Sequence, residues 1–520
     1  MAVEKTYYIT TPIYYVNDVP HIGHAYTTLA CDVLARFKRL DGYRVHFLTG
    51  TDEHGQKVEK AAEAAGIPPK TFTDKVSVNF RELAEAMNFS NDDFIRTTED
   101  RHLRAVQAIW KKLLDDGHIY LGSYAGWYAV RDEAFYTETE LKDGPNGTKT
   151  APSGATVEWV EEPSYFFRLS AWQDRLLEFY DRNPGFILPE SRRNEVVSFV
   201  KSGLRDLSVS RTTFKWGVPV PGDDAHIMYV WLDALTNYIT AVGYPDTQSE
   251  IFRTFWPADL HMVGKDILRF HAVYWPAFLM AAGLEPPRRV FAHGWWTNEG
   301  QKISKSLGNV IEPRGLVEKY GLDPVRYFLM REVPFGNDGD FSHRAMINRL
   351  NGDLANDIGN LCQRVLSMIA KNCDGRVPDP EGKEGPTDAA LLARAAAMLP
   401  KLREELDTQS FHNALGTIWD VIGEANRYVD SEAPWALRKT DPARMGAVLY
   451  TLAETIRQIG LLVQPFMPDA ASRILDQLSV PRNARDTAAY TTGRLIPGTA
   501  LPKPEGVFPR FVAEEAGEGA

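Results

Sequence analysis

The feature that most constrains how this chain can fold is a strand-to-helix turn near its N-terminus that carries two histidines. The apolar, β-leaning run Tyr7–Tyr15 precedes the motif Pro20–His24, and a stretch with helical periodicity, Ala25–Leu40, follows it. The first turn of a helix has free backbone N–H groups and the positive end of the helix dipole, so such a turn favours an anion. We therefore predict a phosphate site at the end of a strand, with His21 and His24 as its polar side chains.

A second motif far downstream, Lys302–Ser306, also has the character of a phosphate-binding element. It lies in a polar, glycine-containing stretch that follows the apolar run Val290–Trp296, so we predict a loop here. Lys302 and Lys305 can close on a polyphosphate as negative charge develops on it during bond cleavage. Each motif alone is weak evidence, because a lone histidine pair or a lysine-rich loop is usually a solvated surface feature. Together, and in this order, they indicate chemistry on a nucleotide phosphate.

Composition narrows the classes of function. The chain has 520 residues, of which 44% are hydrophobic, and this length predicts about two to four domains. The formal net charge of −11 argues against a protein that coats nucleic acid non-specifically, but it allows a folded RNA bound at local basic patches. The isolated cysteines Cys31, Cys362 and Cys373 predict a reducing compartment, with neither a disulfide framework nor a cysteine zinc site. No apolar run suits a signal peptide or a membrane span.

Several common nucleotide and metal motifs are absent from the sequence. No GxGxxG follows a strand-like run, and neither GxxxxGK[ST] nor HExxH occurs. A dinucleotide site, a P-loop and a metalloprotease site of the HExxH type are therefore not predicted.

The order of the segments predicts a split α/β domain followed by a helical domain. Short apolar runs alternate with helical stretches up to about residue 115 and again after residue 225, which is typical of a parallel sheet wrapped by helices. The intervening region is rich in aromatic residues, turns and acidic residues, and the region after residue 323 has almost wholly helical periodicity. The strand candidates are Tyr7–Thr11, Val45–Thr49, His226–Val230, Leu260–Val263 and Val290–Ala292, and the late helical stretches are Met346–Ala370, Asp388–Asp407, Asn413–Val429 and Arg444–Leu462. The predicted boundaries are 1–116 and 226–322 for the two halves of the α/β domain, 117–225 for the insertion, 323–345 for a linking region, 346–480 for the helical domain and 481–520 for a tail.

The two motifs resemble the HIGH and KMSKS signatures of class I aminoacyl-tRNA synthetases, and further stretches narrow the resemblance to the methionyl-tRNA synthetase family. The further matches are Tyr15–Asn17, Gly50–Gly55, Ser164–Phe167, Tyr229–Ala234, Gly264–Ile267 and Ala433–Trp435. The resemblance covers nearly the whole chain. It implies a Rossmann-like catalytic domain split by a connective insertion, followed by an all-α helical-bundle anticodon-binding domain.

The resemblance also implies a reaction, which is that of a ligase. The cysteines predict that it is cytoplasmic, and the sequence has no module like the dimerising C-terminal one of some relatives, so we expect a monomer. The carboxylate of methionine attacks the α-phosphorus of Mg-ATP in line and releases pyrophosphate. The 2′-OH of the last adenosine of the tRNA then attacks the aminoacyl carbonyl, and AMP leaves. No side chain need act as a nucleophile, so catalysis is positioning and electrostatics. The implied partners are methionine, ATP with Mg²⁺, and the initiator and elongator methionine tRNAs.

The family's site positions carry over to residues whose chemistry suits these ligands. An ammonium needs an anion such as Asp52, and a thioether needs a flexible apolar slot whose aromatic walls contribute about 0.3–1.5 kcal/mol per sulfur contact. Taken singly, Trp231 or Tyr238 would more often be core residues, and Asp52 could instead cap a helix. The methionine-binding positions are Ile13, Tyr15, Asp52, Trp231, Ala234, Tyr238, Ile267 and His271. The ATP-binding positions are His21, Gly23, His24, Gly264, Asp266, Lys302 and Lys305, of which the two histidines and the two lysines are the catalytic ones.

The anticodon site is predicted in the helical domain. Bases of a single-stranded loop are read by stacking on aromatic side chains and by hydrogen bonds to their edges. Trp435 follows a proline at a helix boundary that could present its ring outward, although it could also be a core residue. Asn356 and Asn360 share a helical face from which Asn351 drifts, and Arg364 lies further along the same stretch. The asparagines could alternatively be caps or buried polar links.

Departures from the family pattern and rival functions bear on the prediction. Many relatives hold zinc with cysteine knuckles in the insertion, whereas residues 117–223 contain no cysteine, so we predict a metal-free insertion without structural zinc. Ile303 stands where the second signature has methionine, which leaves the lysine roles intact. A small-molecule nucleotidyltransferase would not need the helical bundle, and a non-catalytic RNA-binding relative would not need the histidines and lysines. The synthetases for leucine, isoleucine and valine usually carry an editing insertion that is larger than the insertion predicted here. A synthetase for cysteine would need zinc-binding cysteines, which are missing from this sequence.

Overall fold

The computed structural model describes residues 4–16, 19–144, 147–303, 308–380 and 382–512. The chain divides into two compact units. The first, called the sheet unit, comprises Thr6–Cys31 and Val45–His293. The second, called the helical unit, comprises residues 4–5, 32–44 and the described residues from Gly294 onward. Within the described ranges, every helix is too short or too polar to cross a membrane.

Parallel strands form the core of the sheet unit. In chain order its strands are β1 Thr6–Thr10, β2 Tyr14–Tyr15, β3 Arg44–Asp52, β4 Asp93–Arg96, β5 Ile119–Ala129, β6 Ala134–Tyr136, β7 Lys142–Asp143, β8 Lys149–Thr150, β9 Glu158–Phe167, β10 Ile187–Leu188, β11 Leu207–Ser208, β12 Ser210–Arg211, β13 Pro219–Val220, β14 Asp223–Met228, β15 Leu260–Gly264 and β16 Val290–His293. A seven-stranded sheet has the order β10-β16-β15-β1-β3-β2, and β4 also pairs with β3. The pairs β10–β16, β15–β16, β1–β15, β2–β3 and β3–β4 are parallel. The predicted parallel α/β fold is confirmed.

Helices connect these strands and bury the sheet. They are α1 Ile22–Leu40, α2 Gln56–Ala64, α3 Pro69–Ala86, α4 Asp100–Asp115, α5 Gln173–Arg182, α6 Glu190–Lys201, α7 Val230–Thr240, α8 Glu250–Phe255 and α9 Trp275–Ala281. The last six residues of β3 and all of β16 are buried, as expected for parallel strands whose faces are both covered. At Gly50, in β3, a Cβ atom would lie 2.0 Å from the carbonyl oxygen of Ile95 in β4, so this close pairing requires glycine.

One predicted strand needs correction. We expected His226–Val230 to continue the parallel sheet, but β14 pairs antiparallel with β12 and β13 in a separate three-stranded sheet. It ends at Met228, and α7 begins at Val230. The apolar run continues through the end of the strand into the helix, so periodicity alone did not mark the change.

The region predicted as an insertion contains a second sheet of antiparallel strands in the order β11-β9-β5-β6. Strands β5 and β9 pair over their length, from Ile119 opposite Phe167 to Tyr128 opposite Glu158. The region also contains β10, which pairs with β16 at the edge of the parallel sheet. The chain therefore returns briefly to the parallel sheet inside this region, through a two-residue strand too short to leave a sequence pattern.

The helical unit is a bundle, as predicted. Its strands are β17 Trp296–Asn298, β18 Gln301–Lys302 and β19 Gly339–Phe341, and its helices are α10 Pro313–Tyr320, α11 Leu322–Arg331, α12 His343–Arg349, α13 Asn360–Asn372, α14 Pro386–Ala396, α15 Met398–Asp407, α16 Phe411–Glu432, α17 Pro434–Thr440, α18 Pro442–Val463, α19 Pro468–Gln477 and α20 Thr487–Thr492. Helix α18 is buried almost continuously from Met445 to Val463, which makes it the central helix of the bundle.

Two helical stretches differ from their predicted form. The stretch Met346–Ala370 contains a π-helical segment, Leu350–Gly359, between α12 and α13. The stretch Asp388–Asp407 is divided into α14 and α15. Pro400 accounts for this division, because proline has no N–H group to donate to the carbonyl of Ala396.

Candidate active site

The two histidines of the first motif lie at the start of α1. The backbone N–H of His21 donates to Nδ1 of His24 at 3.0 Å, and the N–H of Gly23 donates to Nδ1 of His21 at 3.0 Å. Two of the N–H groups that we expected to be free for an anion are therefore bonded to imidazoles. Since a backbone N–H can only donate, each Nδ1 is an acceptor, and the hydrogen of each neutral ring lies on Nε2.

Burial keeps these rings neutral. Burial lowers the pKa of His21, against an opposing effect of Asp266. The pKa of His24 lies well below its usual value because the ring is buried and because His21 is close. The ring centroids are 3.9 Å apart, a spacing at which two imidazolium cations would repel each other. The turn therefore offers two neutral Nε2–H donors.

Side chains at the carboxyl ends of β15 and β16 lie near this turn. A Cβ atom at Gly264 would lie 2.5 Å from Oδ1 of Asp266, the residue whose charge also acts on His21. His293, at the end of β16, is 2.7 Å from Oγ1 of Thr27 through its Nε2 atom. His293 is not among the residues predicted from the sequence. The arrangement matches the general rule that open parallel sheets bind ligands beyond the carboxyl ends of their strands.

The carboxylate predicted to bind an ammonium lies at the end of β3. Asp52 is 4% exposed and lies opposite Tyr15 in the register of β2 and β3. Its Oδ1 atom is buried and has no hydrogen-bond partner within the part of the chain that the structure describes. Burial, followed by the charges of Asp233 and Glu133, raises the pKa of Asp52 well above its usual value. A cation placed at Oδ1 would relieve this unfavourable arrangement.

The alternative interpretation of Asp52 as a helix cap is excluded. Helix α2 begins at Gln56, and its N-cap residue is Gly55.

Aromatic side chains gather beside Asp52, whose charge also acts on Tyr238. The ring of Trp231 stacks on Phe270 with a centroid distance of 3.6 Å and an interplanar angle of 5°. Nδ1 of His271 is 2.9 Å from the carbonyl oxygen of Ile267, so Nδ1 carries the hydrogen, and the hydroxyl of Tyr238 donates to Nε2 at 2.7 Å. Burial lowers the pKa of His271 to about 4, which keeps the ring neutral.

The structure therefore brings the predicted methionine-binding residues together in the sheet unit. Ile13, Tyr15, Trp231 and Ile267 pack half-buried against the same apolar core that contains Tyr238. Ala234 is buried on α7, one helical turn from Trp231 and Tyr238.

A buried glutamate that sequence analysis missed completes this group. Glu133 follows β5 and has a φ of 47°, a left-handed conformation that is uncommon for a residue with a side chain. The hydroxyl of Tyr15 donates to its carboxylate, and the backbone N–H of Lys57 donates to it at 3.3 Å. Burial raises the pKa of Glu133 to about 7. No sequence pattern pointed to this residue, because its position depends on one backbone torsion at the tip of a hairpin.

The described part of the second motif, Lys302 and Ile303, lies in the helical unit. Lys302 is exposed and belongs to the short strand β18, which pairs antiparallel with β17. Lys305 lies outside the described residues.

The predicted anticodon residues lie on the surface of the bundle. Trp435 is 51% exposed at the start of α17, which excludes the core alternative. The guanidinium of Arg364 lies 5.7 Å from the centroid of this ring, and it donates to Asp430 at 2.7 Å. Asn356 and Asn360 are exposed.

Asn351 has a different environment from the other two asparagines. Its amide group makes reciprocal hydrogen bonds with the backbone of Phe511, at 3.0 and 2.8 Å. These bonds occupy the edge that would read a base.

Comparisons with known proteins show the family of the chain. Residues 7–366 match the family model of class I tRNA synthetases (M), and residues 377–518 match that of the anticodon binding domain of methionyl tRNA ligase. The chain is 60% identical over 512 residues to the methionine–tRNA ligase of Brucella suis biovar 1 (strain 1330), covering 98% of this chain and 99% of that protein. It is 59% identical over 521 residues to the methionine–tRNA ligase of Mesorhizobium japonicum, with 100% of both chains covered.

Solved structures give the same result. The structure of Mycobacterium tuberculosis methionyl-tRNA synthetase in complex with methionyl-adenylate superposes with a TM-score of 0.95 at 56% identity, covering 97% of this chain and all of that chain. The apo form of the M. tuberculosis protein superposes with a TM-score of 0.90 at 52% identity, with coverage of 98% and 99%.

Proposed function

The chain belongs to the methionyl-tRNA synthetases of class I, and we propose that its sheet unit activates methionine at the group of residues around Asp52. The activity is that of a methionine–tRNA ligase, which uses ATP to form methionyl-adenylate and then charges tRNA. The observation that carries the site assignment is the buried Oδ1 atom of Asp52, which has no hydrogen-bond partner among the described residues.

In the proposed complex the ammonium of methionine binds Asp52 and the thioether lies among aromatic side chains. The neutral rings of Trp231, Tyr238 and His271 form the walls, and polarisable sulfur has favourable contacts with such rings. The remaining members of this site are Ile13, Tyr15, Ala234 and Ile267.

ATP is proposed to bind at the start of α1. The neutral Nε2–H groups of His21 and His24 donate to phosphate oxygens. Gly23 belongs to this site because its lack of a side chain leaves room for the His21 ring, whose Cε1 atom would lie 2.9 Å from a Cβ atom at that position. Gly264 and Asp266 lie toward the ribose. Mg²⁺ enters with ATP, and Lys302 and Lys305 act on the leaving pyrophosphate. The substrate carboxylate is the nucleophile, so the chain supplies orientation and hydrogen bonds to the developing charge.

Asp52→Asn tests this assignment. The amide keeps the size of the side chain but removes the charge, and a hydrogen bond to a charged group contributes about 1.5–3 kcal/mol, or roughly 10- to 150-fold in affinity. We expect the KM for methionine in ATP–pyrophosphate exchange to rise by that factor while the KM for ATP stays nearly unchanged. Glu162→Gln, another buried carboxylate of the sheet unit, is the matched control. Equal methionine KM values in Asp52→Asn and in the parent would refute the site.

The same experiment has a pH dependence whose sign follows from the raised pKa of Asp52. Above that pKa the carboxylate is charged and binds the ammonium. As the pH falls through it, the free enzyme becomes protonated, so the KM for methionine should rise on the acid side. Methionine stabilises the charged form and lowers this pKa in the complex.

We also propose that Trp435 stacks on an anticodon base, with Asn356, Asn360 and Arg364 beside it. Its half-exposed ring and the adjacent guanidinium support this role. A base stack is worth about 1–3 kcal/mol, so Trp435→Ala should weaken charging of methionine tRNA by one to two orders of magnitude. ATP–pyrophosphate exchange should stay near normal. Ile496→Ala, an exposed apolar residue of the same unit, is the control, and a parallel loss of both activities in Trp435→Ala would instead indicate a packing role.

The insertion is proposed to be free of metal. Within the described ranges, no group of three or more His, Cys, Asp or Glu side chains is arranged to hold a metal ion. Chelator-treated protein should contain no stoichiometric zinc by elemental analysis and should recover full activity with magnesium alone. One tightly bound zinc per chain would contradict this.

A monomeric state, a cytoplasmic location and use of both initiator and elongator tRNAs remain predictions.

A further inference from the structure

A buried carboxylate links two histidines beside the proposed methionine site. Asp233, on α7, is 1% exposed. Its Oδ2 atom is 2.6 Å from Nδ1 of His54, and its Oδ1 atom is 2.8 Å from Nε2 of His102. His102 belongs to α4, and its other nitrogen lies 3.1 Å from the hydroxyl of Thr240. Three separate segments of the sheet unit are therefore joined through one side chain.

The positions of these residues along the chain show which parts of the proposed methionine site the Asp233 hydrogen bonds connect. His54 lies two residues after Asp52, the proposed ammonium acceptor. Asp233 lies between Trp231 and Ala234, which are proposed to contact the methionine side chain. The bond from His54 to Asp233 therefore joins the segment that holds the ammonium to the helix that holds the thioether. His102 contacts Asp233 from α4 and fixes the second carboxylate oxygen.

We propose that Asp233 is a positioning residue that sets the distance between the two ends of the methionine site, and so selects the length of the amino-acid side chain. This inference rests on the proposed role of Asp52. An enzyme that must distinguish methionine from homologues differing by one methylene needs a fixed distance between its charged and apolar contacts. A bond between a short side chain and a ring, both buried, is stiffer than packing of apolar side chains alone.

The charge state of Asp233 fits this role. The two histidines and their hydrogen bonds outweigh the effect of burial and lower the pKa of Asp233 to about 2. The carboxylate therefore stays charged and accepts from both rings throughout the physiological range. Asparagine at this position has nearly the same volume, but it offers one acceptor where two are needed.

The test is the chain-length selectivity of amino-acid activation in Asp233→Asn. Substrates are methionine, S-methylcysteine, which is one methylene shorter, and homomethionine, which is one methylene longer. One methylene normally changes kcat/KM by roughly 10–200-fold. We expect Asp233→Asn to reduce the preference for methionine over either homologue by about tenfold, with the KM for ATP nearly unchanged. Glu162→Gln should keep the parental selectivity.

A second pair of variants distinguishes a change in selectivity from a loss of folded protein. The side-chain amide of His54→Asn can take the place of Nδ1–H and donate to Asp233, whereas His54→Leu cannot. Selectivity should fall in His54→Leu and be largely retained in His54→Asn, with the fraction of active protein measured by the adenylate burst. Unchanged selectivity in Asp233→Asn and in His54→Leu, with only fewer active molecules, would overturn the inference. If Asp52→Asn also has a normal methionine KM, the proposed site itself fails, so the two failures are distinguishable.

Discussion

Replacing Lys305 with alanine should slow methionyl-adenylate formation far more than it weakens methionine binding. Negative charge grows on the leaving pyrophosphate as the bond to the α-phosphorus breaks, so an ammonium placed there acts mainly in the transition state. Loss of one such contact typically costs about 2.7–4 kcal/mol, or roughly 10²–10³-fold in rate. Single-turnover adenylate formation at saturating substrates should show this fall, while the apparent affinity for methionine changes little.

A lysine elsewhere on the helical unit supplies the control for this prediction. Lys319→Ala removes an exposed lysine of α10 and should leave the adenylation rate at the parental value, which separates a local role from a change in overall charge. A parental single-turnover rate in Lys305→Ala would remove this lysine from the mechanism. A parental single-turnover rate accompanied by weaker methionine binding would place it in ground-state binding instead.

The parts of the site that the sequence could predict are those that lie at the ends of regular elements. Asp52 lies at the end of a buried strand, and His21 and His24 lie at the start of a helix. The spacing of apolar residues in the sequence changes at each of these boundaries, so the boundaries could be predicted. Residue type alone favours a core position for Trp231 and Tyr238, because an aromatic residue on a buried helix is usually core. Their assignment depended on the family resemblance. In the structure the charge of Asp52 acts on Tyr238, and His271 contacts both Tyr238 and Trp231.

The parts that could not be predicted depend on contacts between distant segments. Glu133 has a left-handed backbone conformation and accepts a hydrogen bond from Tyr15, which is 118 positions away in sequence. A local sequence pattern cannot indicate such a contact. Asp233 and His102 are 131 positions apart, and no local pattern relates them. The hydrogen bonds from backbone N–H groups of the turn to the imidazoles of His21 and His24 could not be predicted either, because they depend on side-chain rotamers within one turn.

The last prediction concerns the stability of the helical unit, in which a buried ion pair joins Asp32, in the C-terminal half of α1 that belongs to this unit, to Arg326. Arg326, on α11, is fully buried, and its guanidinium donates to Asp32 at 2.7 Å and to the carbonyls of Pro465 and Phe466 at 2.8 and 2.9 Å. Removing one partner of a buried pair costs about 3–5 kcal/mol, because the remaining charge is left uncompensated. Arg36 also contacts Asp32 at 2.8 Å, so we expect Arg326→Met to destabilise by about 3 kcal/mol, the lower end of this range.

Urea unfolding of the full chain, followed by far-ultraviolet circular dichroism, measures this effect as a shift of the bundle's transition to lower urea. Arg394→Met, which breaks an exposed pair with Glu424 in the same unit, should leave the transition nearly unchanged, because solvent screens such pairs. Adding Asp32→Asn to Arg326→Met should restore part of the loss, since it removes the buried charge that Arg326 helped to compensate. If the double variant is less stable than Arg326→Met, the destabilisation comes from the lost carbonyl contacts and packing, and the charge of Asp32 is not its cause.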